Sequence, residues 1–299
     1  MKLTIFTPVY NRANIIDGLY KSLIKQSNHN FIWLIVDDGS IDKISELVDE
    51  YKKNANFEIQ YIYQENEGKH SAHNKAVEIC NTELFFCVDS DDYLTDEAVE
   101  KIYSVHNKYK NEKVLGYFFR KKDTKGIVSG NSFSAKSEYI GLREIYFKYG
   151  FSGELAIIFR TELIKNYCFP VYEKEKFVSE KVLYNQISSI APMVFVDEVI
   201  YIFEYQPTGY TFNAGSLSVK NPKGYAMGCL SDAVYGTKWI DRSKAYSSFV
   251  AVKKIFNICD DCFPEFTVPF FVKFLGNLFK IHYTDLFRKI KFQYHSEET

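Results

Sequence analysis

Asp89 and Asp91 stand two apart in Val88-Asp89-Ser90-Asp91-Asp92, at the end of the apolar run Leu84 to Val88. On extended backbone both side chains point to one face, where two carboxylates can share a hard divalent cation such as Mg²⁺ or Mn²⁺. Such a cation keeps open positions for phosphate oxygens, and it relieves the repulsion that clustered carboxylates otherwise suffer. A second acidic pair lies in Val36-Asp37-Asp38-Gly39-Ser40 and offers acceptors for the donors of a base or a ribose. Between the two pairs, Asn66-Glu67-Gly68-Lys69-His70-Ser71-Ala72-His73-Asn74 leads into a helix whose N-terminus, with Lys69, can face a diphosphate. Taken singly, Asp-Asp-Gly has the composition of a turn and Asp-Ser-Asp-Asp that of a loop or helix cap. Their joint placement is what favours a site. His70 and His73, three apart, suit either a metal pair or polar contacts on a helix face, and the second is the commoner use.

These residues need a scaffold, and the first 110 residues supply the pattern of one. Short apolar runs alternate with helix-period segments, as in βαβ units on a mostly parallel sheet. Strands are predicted at Leu3 to Val9, Phe31 to Val36, Glu58 to Tyr63 and Leu84 to Val88. Helices are predicted from Ile15 to Ile24, Ile44 to Tyr51, Ser71 to Cys80 and Thr95 to Tyr109. In such a sheet ligands bind beyond the carboxyl ends of the strands. Thr7-Pro8-Val9-Tyr10-Asn11-Arg12, the Asp37-Asp38 pair and the Asp89 to Asp92 stretch all fall there. Further along the regularity weakens: strands are expected at Val114 to Arg120 and Ile127 to Ser129, and helices at Ser137 to Tyr149 and Ser179 to Ile190. From about Lys220 the pattern is helical and aromatic. No internal repeat or Ser/Gly/Pro-rich linker interrupts the chain.

Composition excludes several classes. With 37 Lys+Arg against 38 Asp+Glu in 299 residues, the net charge is −1, and no nucleic-acid partner held by bulk charge is expected. Hydrophobic residues at 46% and charged residues at 25% are ordinary for a globular protein, whereas 17% aromatics, with 26 Phe and 23 Tyr, is high. The scattered cysteines and the strand-like start at Leu3, without a signal sequence, predict reduced thiols in a cytoplasmic protein. Cys259 and Cys262 form a lone CxxC that lacks the second pair a zinc site needs. No stretch of about 18 uncharged apolar residues predicts a bilayer span. No GxGxxG follows the first strand, and Gly68-Lys69 fails as a P-loop because position 63 is Tyr and position 70 is His.

Together the motifs resemble those of the family 2 glycosyltransferases of GT-A fold, in particular the bacterial capsule and exopolysaccharide type. Thr7-Pro8-Val9-Tyr10-Asn11 is similar to their first-strand motif, Val36-Asp37-Asp38-Gly39-Ser40 to their nucleoside-binding motif, and Asp89-Ser90-Asp91-Asp92 to their metal-binding DxD. Glu175-Lys176-Phe177-Val178-Ser179-Glu180 resembles a later family stretch, with Ser179 where the family has Pro. Glu204-Tyr205-Gln206-Pro207-Thr208-Gly209-Tyr210-Thr211 resembles another. The likeness implies an α/β GT-A domain over 1–215, with a nucleotide-binding half at 1–110 and an acceptor half at 111–215. A helical extension over 216–299 follows. It implies nucleotide contacts from Thr7, Pro8, Tyr10, Asp37, Asp38, Lys69, Asp89 and Ser90, with Asp38 at the base, Asp89 on the ribose side, and Asp91 with Asp89 at a Mn²⁺ or Mg²⁺ ion. Glu180 matches the catalytic base of an inverting transfer, with Glu173 and Glu175 as neighbouring carboxylates. The donor implied is a nucleoside-diphosphate sugar, most simply a UDP-sugar, and the acceptor a saccharide or lipid-linked saccharide.

Two other classes compete. A sugar nucleotidyltransferase would also bring carboxylates and a metal to an α/β edge, but it typically opens with a Gly-rich loop, and Thr7 to Arg12 contains no Gly. A degenerate sugar-nucleotide binder would need no carboxylate in the second half for turnover. The tail leaves two readings open. Phe270, Phe271, Phe274, Leu275, Leu278 and Phe279, interleaved with Lys273, Lys280, Arg288, Lys289 and Lys291, form either a helical pair packed on the catalytic domain or an amphipathic segment on a membrane surface.

Overall fold

A computed structural model describes residues 2–132, 138–204 and 214–297. The chain divides into two compact units, Met1–Cys168 with Ile187–Gln206, and Phe169–Gln186 with Pro207–Thr299. The segment 169–186, expected to belong with the first part of the chain, thus clusters with the C-terminal helices.

Among the described residues the first unit is built on a nine-stranded sheet. Its parallel part has the order β3 (Glu58–Gln64), β2 (Phe31–Asp38), β1 (Leu3–Val9), β4 (Leu84–Cys87). Beyond β4 the order continues β8 (Leu155–Arg160), β6 (Gly116–Asp123), β9 (Met193–Phe203), β5 (Tyr93–Leu94), with β7 (Tyr139–Ile140) also paired to β9. β8 is antiparallel to both β4 and β6, so the sheet changes direction at that strand. The helices that connect the parallel strands are α1 (Asp17–Ile24), α2 (Ile44–Asn54) and α3 (Lys69–Ile79), followed by α4 (Ala98–Tyr109).

Alternation along the strands explains why the parallel runs are apolar throughout. Leu3 and Ile5 of β1, Phe31, Trp33 and Ile35 of β2, and Leu84 and Phe86 of β4 join Leu19, Leu23, Val48 and Ile102 of the helices in one core. Phe6 and Phe85, one residue out of step, turn the other way and meet the His73 ring of α3 edge-on, at centroid distances of 5.9 and 5.3 Å. Both faces are covered, so neither can be polar. Trp33, Phe6, Phe31, Phe85 and Phe86 are all less than 2% exposed, and each such burial contributes about 1.5–3 kcal/mol.

The departures from expectation have local causes. Ile127 to Ser129 forms no strand, only a bridge between Val128 and Lys122. The helix expected over Ser137 to Tyr149 is reduced to α5 (Glu144–Phe147) after β7, and 133–137 lie outside the described residues. Thr95 does not open a helix: its N–H bonds to the Ile200 carbonyl oxygen of β9, and α4 starts at Ala98. β8, followed by α6 (Thr161–Ile164), and β9 were not expected.

The second unit is helical. It contains α7 (Lys181–Ile187, ending at the unit boundary), α8 (Ala214–Lys220), α9 (Pro222–Tyr235), α10 (Trp239–Phe256) and α11 (Phe270–Glu297). Ala226, Leu230, Phe249, Val252, Val272 and Phe287 form its core. α9 opens with Pro222, which suits a first turn that needs no N–H there, and α10 stops at Asn257 in the left-handed region at φ 52°. Among the described residues no helix is long and apolar enough to cross a membrane. Of the stretch Glu204 to Thr211, only Glu204 lies within the described residues.

Candidate functional site

The carboxyl edge of the parallel strands carries the first-half residues. β1 and β2 are in register with Val9 opposite Asp37, and the loops beyond them are stapled together. Asn11, at φ 53°, donates its N–H to Ser40 Oγ at 2.8 Å, and its Oδ1 accepts from Ile41 N at 2.9 Å. Ala13 N donates to Asp42 Oδ2 at 2.8 Å. Asn tolerates the left-handed backbone better than other side chains, so the same residue turns the chain and ties the loop. Along this strand Thr7 is buried, with its hydroxyl accepting from Trp33 Nε1 at 3.0 Å, Pro8 is half-buried, and Tyr10 stands 49% exposed.

Asp37 and Asp38 are both buried and both accept hydrogen bonds from the chain. Asp37 takes the Ser40 N–H at 2.8 Å and the Tyr61 hydroxyl. Burial, then this bond to Asp37, push the Tyr61 phenol up. Asp38 accepts from Gln64 Nε2, Glu67 N and Gly68 N, each at 2.8 Å, and so fixes the loop that delivers α3. Gly39 completes the arrangement: it sits at φ 83°, and a Cβ there would lie 2.7 Å from Asn66 N.

From that loop α3 begins at Lys69, whose Nζ lies 2.8 Å from Asp89 Oδ1. Asp91 lies in a turn and not on the extended strand that the spacing suggested. The strand ends at Cys87, and Asp92 N bonds back to the Asp89 carbonyl oxygen at 3.2 Å, which makes Asp89 to Asp92 a tight turn. Ser90 within it is buried. Desolvation raises Asp89, but Lys69, with Lys121 and Arg12, outweighs it and holds the carboxyl below its usual range. Asp91 is raised by burial and then by Asp89. Asp92 is pushed up to about 7 by burial, although it accepts the Tyr201 hydroxyl at 2.6 Å and Glu204 N at 3.0 Å. Tyr201 Oη also accepts the Asp89 N–H at 3.2 Å. This buried tyrosine of β9 braces the acidic turn from 112 residues away in sequence, and no motif marks it.

The turn therefore holds three carboxylates in electrostatic contact, of which Asp92 is taken up by Tyr201 and Glu204 N, and Lys69, Arg12 and Lys121 act on Asp89. Among the described residues no group of three His, Cys, Asp or Glu is placed to hold a metal ion. Two carboxylates suit a hard cation that takes its remaining ligands from phosphate and water, so the donor set fits Mg²⁺ or Mn²⁺ in the company of a phosphate. His70 is 4% exposed, and its burial lowers the imidazole to about 4. His73 packs on Phe6 and Phe85. Cys259 and Cys262 are free thiols with sulfurs 3.0 Å apart. A cavity of about 370 Å³ lined by Thr82, Glu83, His106 and Arg160 opens at the opposite edge of β4 and holds none of these residues.

In the second unit, the three neighbouring carboxylates separate. Glu175 is 7% exposed and caps α9, with Oε1 accepting from Lys223 N at 2.9 Å and Oε2 from Gly224 N at 2.8 Å. Burial raises its pKa, and those two N–H groups pull it back. The segment lies so close that a Cβ on Gly224 would meet the Phe177 carbonyl oxygen at 2.1 Å. Lys176 N bonds Asn221 Oδ1 at 2.7 Å, and Lys181 pairs with Asp232 at 2.7 Å. Glu173 is exposed beside Lys174. Glu180 is exposed at the start of α7, with its carbonyl oxygen accepting from Tyr184 N at 3.1 Å.

Comparison with known proteins agrees with this geometry. The chain is 30% identical over 139 residues to glycosyltransferase GlyA of Streptococcus pneumoniae, a match covering 45% of this chain and 20% of that protein, so it spans about a fifth of that relative's length. To glycosyltransferase GlyG of the same species it is 23% identical over 213 residues, covering 67% of this chain and 70% of the other. The crystal structure of S. aureus TarS 1-349 in complex with UDP-GlcNAc superposes with a TM-score of 0.64 at 17% identity, covering 99% of this chain and 92% of that one, which gives the GT-A fold. The family model for glycosyl transferase family 2 matches residues 4–168, the span that contains the stapled loops, the Lys69 turn and the Asp89 to Asp92 turn, and the chain belongs to that family.

Proposed function

We propose that the protein transfers a sugar from a nucleoside-diphosphate sugar to an acceptor hydroxyl, with inversion at the anomeric carbon, during assembly of a bacterial surface polysaccharide in the cytoplasm. The observation that carries this reading is the cluster of Lys69, Asp89 and Asp91 at the carboxyl edge of the sheet, ringed by Arg12 and Lys121. Three cations stand against Asp89 and Asp91, while the third carboxylate of the turn, Asp92, is engaged by the Tyr201 hydroxyl and Glu204 N; this balance suits a ligand that brings a diphosphate and a divalent metal together. The UDP-GlcNAc held by TarS supports a UDP-sugar as the donor class.

On this reading the nucleoside lies along the edge formed by the β1 and β2 loops, with Tyr10 available for stacking and Asp38 beside the base. Asp91 and Asp89 would hold a Mn²⁺ or Mg²⁺ ion, which supplies charge neutralisation for the diphosphate as it departs. Lys69 and Arg12 share that neutralisation. Glu180 takes the proton of the acceptor hydroxyl, the acceptor oxygen forms its bond to the anomeric carbon, and the electron pair of the broken bond leaves with the nucleoside diphosphate. Both oxygens of Glu175 accept from the first turn of α9, which supports Glu180 over Glu175 as the base. A saccharide or lipid-linked saccharide is the acceptor class.

The test is to incubate the purified protein with UDP-sugars, Mn²⁺ and saccharide or lipid-linked acceptors, follow UDP release, and read the product's anomeric configuration by NMR. A glycoside of inverted configuration supports the reading. Retention of configuration, or UDP release that never depends on an acceptor, contradicts it.

A further inference from the structure

We infer that the exposed aromatic face of the C-terminal helices docks the protein on an anionic membrane surface. In α11, Val272, Gly276, Thr284 and Phe287 are buried on one side of the helix. Phe270, Phe271, Phe274 and Leu278 lie on the other and are 83, 50, 54 and 67% exposed. Residues four apart share a helix face, so Phe270, Phe274 and Leu278 form one continuous stripe. The stripe extends onto the next helix: the Trp239 ring lies 5.8 Å from that of Phe271, and Trp239 and Ile240 are 49 and 52% exposed. Isolated exposed apolar residues are ordinary, but six in one patch that includes four aromatic rings mark an interaction surface.

Charge selects the occupant. Over its whole length α11 carries Lys273, Lys280, Arg288, Lys289 and Lys291 against Asp285 and Glu297, an excess of three basic residues in a chain whose net charge is −1; Arg288 is 3.5 Å from Asp285, and Lys291 lies over the Phe256 ring. At the start of α10, Arg242 lies over the Trp239 ring. A second copy of the same helix would bring like charge to like charge, whereas anionic lipid headgroups complement it. Trp and Phe with Lys and Arg are also the residues that settle at the boundary between headgroups and acyl chains. The length of α11 does not make it a span, because it is neither apolar enough nor free of charge. The face rests on the surface and does not depend on the transfer reading.

Vesicle co-sedimentation of the full chain decides the matter, with phosphatidylglycerol-containing and pure phosphatidylcholine vesicles compared. The protein should pellet with the anionic vesicles and be released by salt. The triple variant Phe270→Ser, Phe274→Ser, Leu278→Ser should lose at least about tenfold in affinity while keeping its melting temperature, since all three side chains are exposed. Replacing Lys273, Arg288 and Lys289 by Gln should cost about fivefold per residue on anionic vesicles alone. A wild-type protein that ignores anionic vesicles, or a triple variant that binds them equally, overturns the proposal. So does a wild type that self-associates in sedimentation velocity while the triple variant is monomeric and neither binds vesicles, because a second copy would then cover the face.

Discussion

Lys69 Nζ lies 2.8 Å from Asp89 Oδ1, joining the first turn of α3 to the turn that follows β4. The pair keeps Asp89 ionised and holds an ammonium where a helix N-terminus already favours anions. Removing that charge should weaken binding of a nucleoside diphosphate. We expect Lys69→Met to raise its Kd about ten- to a hundredfold by calorimetry, the range for a hydrogen bond to a charged group, and Lys69→Arg to recover most of it. An unchanged Kd in Lys69→Met would remove Lys69 from the site.

Gly39 brings the loop after β2 close against Asn66 of the loop that leads into α3. At φ 83° and with 2.7 Å of room against Asn66 N, Gly39→Ala meets both an unfavourable conformation and a clash. A cost of about 1–3 kcal/mol follows, read as a lowered melting temperature, together with weaker nucleotide binding. A variant as stable and as tight-binding as wild type would show that the loop adapts.

His70 gives stability a pH dependence. Its burial lowers the imidazole from 6.5 to about 4, so between those values the unfolded chain takes up a proton that the folded one refuses. The contribution is fully present above pH 6.5 and is lost as pH falls towards 4, amounting to about 3 kcal/mol. In thermal unfolding across this window, His70→Gln should lack that part of the decline. Parallel curves for the two proteins would refute it.

Glu175 and Glu180, five residues apart, should separate cleanly. Loss of the α9 cap in Glu175→Ala should cost about 1–2 kcal/mol and lower the melting temperature without weakening nucleotide binding. Glu180→Gln should leave stability and nucleotide binding in place and slow transfer on the order of a hundredfold or more. Equal loss of binding and transfer in Glu180→Gln would point to a structural role.

Much of this was legible in the sequence, for physical reasons. β1, β2 and β4 are buried on both faces, so Leu3 to Val9, Phe31 to Val36 and Leu84 to Val88 read as unbroken apolar runs. β9 did not, because Asp197 and Glu198 interrupt Met193 to Phe203 where the pairing with β6 shifts register, and Asp197 there meets Arg120 Nε at 2.7 Å. The acidic pairs were visible from their neighbours in the chain. Tyr201 was not, since its place beside Asp89 and Asp92 is fixed by the pairing of β9 with β5 and β6. The proximity of Asp89 to Asp91 was anticipated on the wrong backbone, an extended strand where the chain makes a turn. Glu175 shared its motif with Glu180, and only the start of α9 distinguishes them.

The central claim, a metal-assisted nucleotide site at Asp89 and Asp91, is tested most directly by thermal stabilisation with UDP, GDP and dTDP, each with and without Mn²⁺, in wild type and in Asp91→Asn. We predict stabilisation by one nucleotide, UDP, that requires Mn²⁺ and disappears in Asp91→Asn while the variant's own melting temperature is retained. Well-folded protein that no nucleotide stabilises, or stabilisation undiminished in Asp91→Asn, would contradict it.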